Sequence, residues 1–180
     1  MGDFRMRSMM AVALVLAMME QAAADECPLT QSVYGQTGSA WSLRFMPVPR
    51  DGAANQIGAF EIIMPGAFET VFDGAIYIPN GFGQPWGMVT LDEAKSDAED
   101  AETEEESSPA FWEGTVYALV DGSITEFPWD PDQPRDAQAP PQQILLPQFA
   151  SHVWYSMLRG DAFAGDNTVL DTFVLKGCTV

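Results

Sequence analysis

One histidine, His152, is present in 180 residues, and only two cysteines, Cys27 and Cys178. That poverty excludes a zinc site built on histidines, and cysteine ligands vanish if the two thiols pair. No G-x-S-x-G elbow, glycine-rich phosphate loop, dinucleotide fingerprint or haem attachment motif occurs, so no cofactor is predicted. Basic residues are also scarce: eight Lys and Arg against 26 Asp and Glu, a net charge of -18. A field of that sign disfavours nucleic acid and anionic lipid as partners.

The longest uncharged apolar run is short. Arg5 and Arg7 precede "MMAVALVLAMM", Met9 to Met19, followed by Ala22-Ala23-Ala24. Eleven apolar residues span about 16 Å as a helix, against roughly 30 Å of bilayer hydrocarbon. The pattern predicts a secretory signal peptide over residues 1–24, cleaved after Ala24, with no membrane anchor after cleavage. The expected product, residues 25–180, fits one exported domain, periplasmic or secreted. Cys27 and Cys178 then lie third from each end, and an oxidising compartment predicts one disulfide between them.

What the chain has in quantity is short alternating runs bounded by Gly, Pro, Asn or Asp. In "AWSLRFMP", Trp41, Leu43 and Phe45 share one side and Ser42, Arg44 and Met46 the other; "AFEIIMP" repeats this with Phe60, Ile62 and Met64. "GAIYIP" and "PWGMVTL" flank Asn80-Gly81, and "EGTVYALV" and "SITEF" flank Asp121-Gly122; both dipeptides favour the positive φ of a hairpin turn. Pro79 and Pro85 donate no ladder hydrogen bond, which predicts a wider loop at the first pair. One helix is expected near 147–159, "PQFASHVWYSMLRG", starting at Pro147 and stopped by Gly160. A last strand, "TVLDTFVLKGC", returns Cys178 toward the other end. The fold class is mainly β, an antiparallel sandwich or incomplete barrel with one packed helix; α+β is the alternative.

Two stretches break the pattern. Residues 92–109 hold nine acids and no apolar periodicity, which predicts a disordered acidic loop inside the domain. Residues 128–142 carry five prolines and are expected to be extended and exposed.

Few side chains suggest chemistry. At helical spacing His152, Tyr155 and Arg159 form a polar stripe suited to an anion, with Ser156 one turn from His152. A Ser156–His152 nucleophile lacks both a third group and a motif, so no catalytic residue is nominated. Asp130, Asp132 and Asp136 lack the glycine and terminal Glu of a calcium loop, and no metal ligand is nominated; the acidic loop is expected to associate weakly with divalent cations. Aromatics remain. Phe82 and Trp86 near one turn, and Trp112 and Trp129 at the ends of the Asp121-Gly122 hairpin, are the candidate contact surface, since flat faces with polar tips suit sugar and protein partners.

These features predict an exported, non-enzymatic binding module for a cationic protein, peptide or divalent cation. Two other readings stand beside it. One is an envelope-polymer hydrolase using carboxylates near the aromatic loops; the other is a structural envelope protein with no small-molecule ligand.

Overall fold

The computed structural model describes residues 27–66, 70–79, 83–91, 110–164 and 167–179. The expected signal peptide, the acidic loop, Asn80-Gly81 and Phe82 lie outside the described residues. Among the described residues ten strands run in chain order: β1 Ser32–Gly35, β2 Ser42–Met46, β3 Gln56–Met64, β4 Thr70–Tyr77, β5 Trp86–Leu91, β6 Trp112–Thr115, β7 Tyr117–Val120, β8 Ser123–Glu126, β9 Gln143–Leu145 and β10 Thr172–Cys178. They form a single sheet in the order β6-β5-β4-β3-β2-β1-β10-β9-β7-β8, antiparallel at every pairing and curled into a half-barrel. The protein is mainly antiparallel β, and of the forms expected from the sequence it takes the incomplete barrel.

Alternation decides which side faces in. Trp41, Leu43 and Phe45, then Phe60, Ile62 and Met64, are all buried on the concave face, as period-two patterning requires. Breaks in register between Val33 and Tyr34 and between Gln56 and Gly58 mark irregularities of the kind that add bend and twist to a sheet. Two inward glycines permit close packing over the backbone. A Cβ on Gly74 would stand 2.2 Å from the Phe60 ring, and one on Gly87 would stand 2.5 Å from Val116. Buried Val116 alone separates β6 from β7, which belong to opposite ends of the sheet, and its N–H bonds to the Pro85 carbonyl at 3.0 Å. The sheet therefore curls far enough to bring its ends within one residue of each other along the chain, without pairing them.

The Asp121-Gly122 hairpin forms as its sequence predicts. Val120 pairs with Ser123, and Asp121 (φ 50°) with Gly122 (φ 76°) supply the two positive φ values of a type I′ turn.

Helix α1, Phe149–Tyr155, packs on the concave side through buried Phe149 and Val153. It is shorter than the expected 147–159 because Ser156 turns extended (φ -89°, ψ 173°); a further short helix, α2, covers Arg159–Ala162. At the other end Gln148 offers no side-chain cap. Asp171 does the work from the far side of the chain, accepting the N–H of Gln148 at 2.9 Å and of Ala150 at 2.8 Å. A carboxylate there satisfies two orphan donors and complements the helix dipole. Asp171→Ala is expected to cost about 1 to 2 kcal/mol of unfolding free energy in urea melts, in the range of a lost helix cap.

Within the proline-rich stretch the chain wraps a buried amide. Gln138 donates to the carbonyls of Asp130 at 2.8 Å and Gln133 at 3.2 Å, while its oxygen accepts the Asp130 N–H at 3.0 Å. Residues 131–134 stay exposed, but a short 3-10 turn at Arg135–Ala137 replaces a purely extended path.

Cys27 and Cys178 form a disulfide, with Cα atoms 5.9 Å apart. Cys178 pairs with Ser32 on β1, so the bridge fastens the segment before β1 to the end of β10.

Candidate functional site

The convex face of β4 and β5 carries an open depression of about 140 Å3 lined by Asp73, Gly74, Ala75, Tyr77, Met88 and Thr90. Strand alternation builds it. Phe72, Ile76 and Val89 point into the core, which sends Asp73, Ala75 and Tyr77 on one strand and Met88 and Thr90 on the other outward. Register then sets neighbours: Asp73 lies opposite Thr90, Ala75 opposite Met88, and Tyr77 opposite Trp86. The result is a floor of small residues between an apolar wall of Tyr77 and Met88 and a polar end of Asp73 and Thr90.

Charge continues the polar end across the sheet. Glu61 of β3 is the register partner of Asp73 and also of Arg44 on β2. The Arg44 Nε donates to Glu61 at 2.6 Å, leaving the guanidinium side half-exposed. An exposed pair of this kind adds little stability, but it balances the Glu61 charge beside the depression. The Thr90 hydroxyl donates to the Asp73 carbonyl at 3.4 Å.

Phe82 lies outside the described residues; of the other three aromatics nominated for contact, Trp86 is the most exposed. It is 40% exposed on the convex face beside Tyr77, at the start of β5 and not within the preceding loop. Trp112 is a core residue, 1% exposed, with its indole N–H donating to the Pro147 carbonyl at 2.9 Å. Its place in a contact surface is corrected: Gly87 and Gly114 leave room for the ring to fold inward against the sheet. Trp129 is half-buried and packs against the core cluster.

The polar stripe on the helix is also broken. His152 and Tyr155 lie on α1, both exposed, but Arg159 begins α2 and its guanidinium stacks 3.7 Å over the Trp154 ring. Phe163 meets the same indole edge-on at 4.9 Å, so the arginine completes a local cation–π arrangement instead of extending the stripe. His152 Nδ1 lies 2.9 Å from the Gln148 carbonyl, an acceptor only, which places the ring proton on that nitrogen. Ser156 donates to the Val153 carbonyl at 2.8 Å and accepts the Leu158 N–H at 3.1 Å, the bonding of a helix-terminating residue.

Asp130, likewise, is occupied in the proline-rich turn, where it accepts the Asp132 N–H at 3.0 Å and the Gln133 amide at 2.8 Å. Among the described residues no group of three or more His, Cys, Asp or Glu is placed to hold a metal ion, and no helix is long and apolar enough to cross a membrane.

Sequence reasoning passed over Asp73, Tyr77 and Met88. The signal was there in "TVFDGAIY": alternation around Phe72 and Ile76 puts a carboxylate and a phenol on the same outward side four residues apart. The register that sets Thr90 and Trp86 opposite them, with Met88 between, depends on a strand pairing that the residues of either strand alone do not specify.

Comparison with protein-family models, curated proteins and solved structures finds no match to this chain.

Proposed function

We propose that this protein is a non-enzymatic binding module that works outside the cytoplasm and takes a cationic partner on the convex face of β4 and β5. The observation that carries the reading is the depression itself, in which an apolar Tyr77–Met88 wall leads to the acidic edge formed by the register pair Glu61 and Asp73. That combination suits a side chain with an alkyl stem and a positive head, such as lysine, whose methylenes pack on apolar surface while the ammonium reaches a carboxylate. Trp86 beside Tyr77 widens the aromatic rim. The net charge of -18 draws cationic partners toward the surface and speeds encounter. The disulfide supports an oxidising compartment.

A probe with the right chemistry and no peptide backbone is 1,5-diaminopentane. Calorimetry at low salt should show saturable binding of one equivalent, with Asp73→Asn weakening it about tenfold, or about 1.4 kcal/mol. Equal affinity in the two proteins would show that the depression does not hold the ammonium group, and the reading would fall.

A further inference from the structure

We propose that β8 is a strand-addition site that takes an extended basic peptide segment as an eleventh strand, independently of the β4–β5 depression. In a two-residue type I′ hairpin the flanking pair, Val120 and Ser123, exchanges both hydrogen bonds, and alternate pairs beyond it do the same. Ala118 and Thr125 are such a pair. Ile124 and Glu126 must therefore aim their N–H and C=O groups away from β7, out of the open end of the sheet. β7 shows the complementary arrangement, since its opposite edge is paired with β9. Among the described residues nothing hydrogen-bonds the main chain of Ile124 or Glu126.

The strand is also uncovered. All four residues of β8 are exposed, Ile124 at 63%, with Val120 beside the turn at 42%. Proteins commonly blunt such an edge with lysine, proline, a bulge or a covering loop. β8 contains neither lysine nor proline, and its pairing with β7 runs without a register break. At the other end of the sheet, β6 has its Trp112 tied to the Pro147 carbonyl in the chain leading into α1.

Charge selects the occupant. From Trp112 to Pro134 the chain holds five acids, Glu113, Asp121, Glu126, Asp130 and Asp132, and no Lys, Arg or His. Asp121 and Glu126 bracket the strand. A second copy would add its own Asp121 and Glu126 to the same edge, and like charges brought that close repel. An extended segment alternating basic and apolar residues meets the opposite condition: Ile124 and Glu126 share one face of β8, where basic side chains lay their stems on Ile124 and reach Glu126, while the apolar ones fall on the Ser123 and Thr125 side and main-chain hydrogen bonds supply affinity without regard to sequence.

The test uses the disulfide-bonded protein and a fluorescent six-residue peptide alternating Lys and Val, with a Glu/Val peptide of equal length as control. Anisotropy at low salt is expected to give at least tenfold tighter binding of the Lys/Val peptide. Ile124→Pro removes an outward N–H and no ladder bond, so in an Asp73→Asn background, where the depression contributes no lysine site, it should weaken that binding tenfold or more. In the wild-type complex, amide exchange at Ile124 and Glu126 should slow together, a readout that depends on no variant folding. Binding without slowed exchange at those two amides would overturn the proposal, as would an Ile124→Pro protein that folds and binds like wild type. A homodimer abolished by Ile124→Pro would assign the edge to a second copy and equally overturn it. Because diaminopentane has no backbone to pair, failure at β8 and failure at the depression are read separately.

Discussion

Replacing Cys27 and Cys178 together by serine is expected to lower the unfolding free energy by roughly 2 to 5 kcal/mol, with a native fold retained where stability suffices. The upper figure is the loop-closure value for a link across 151 residues. The effect belongs mainly to the unfolded chain, because the folded ends are also held by other bonds. Ser32 pairs with Cys178, and the Thr179 N–H bonds to the Gln31 carbonyl at 2.7 Å. Domains of this size carry about 5 to 15 kcal/mol in all, so the bridge is a large share of the margin. Urea melts of the oxidised protein and the double variant measure it directly. A loss under about 1 kcal/mol would mean that the unfolded chain gains little freedom when the link is cut.

Phe149→Ala should cost about 3 to 5 kcal/mol, the range for deleting a fully buried aromatic ring. The ring contributes from α1 to the concave side of the sheet, 6.1 Å from Trp41, 6.1 Å from Phe72, 6.2 Å from Phe111 and 6.4 Å from Phe173 between centroids. These partners belong to or adjoin β2, β4, β6 and β10, so one ring couples strands far apart in the sheet order. Removing it leaves a cavity that a curled sheet, held at its ends by Val116, collapses around only in part. Trp154→Ala on the solvent side of α1 is the comparison: that indole is 39% exposed and touches Arg159 and Phe163, so about 1 kcal/mol or less is expected. Equal losses in the two variants would contradict the placement of α1.

Much of this architecture was legible in the residues. Alternation in "AWSLRFMP" and "AFEIIMP" identified the inward side chains, Asp121-Gly122 identified a hairpin, and the spacing of the two cysteines identified the bridge. Each is a local signal, in which period, turn chemistry or redox chemistry acts within a few residues or on a single pair. Global closure was less legible. That β6 and β7 are neighbours in sequence yet at opposite ends of the sheet follows from the path of β1 to β5 and β10, which no single segment encodes. The helix end was misjudged for a similar reason: Arg159 finds a better partner in the Trp154 face than in a continued turn, and Ser156 accepts the break.

The site was half legible. Trp86 was identifiable as an aromatic beside Gly and Pro, whereas Trp112, equally conspicuous, is a core residue because glycines at 87 and 114 admit its ring. Tyr77 and Asp73 looked like ordinary strand residues. Only cross-strand pairing with Trp86 and Thr90 makes them a surface with an apolar side and an acidic end.

An NMR titration of the wild-type protein with 1,5-diaminopentane, following the Met88 methyl, the Trp86 indole N–H and the Asp73 amide, tests whether the β4–β5 surface binds a cation with an alkyl stem. These three signals are expected to shift together along one saturating curve, while the amides of the exposed residues Asp132 and Asp136 stay in place. Shifts spread evenly over the acidic surface, with no saturation at Met88 and Trp86, would contradict binding at that surface.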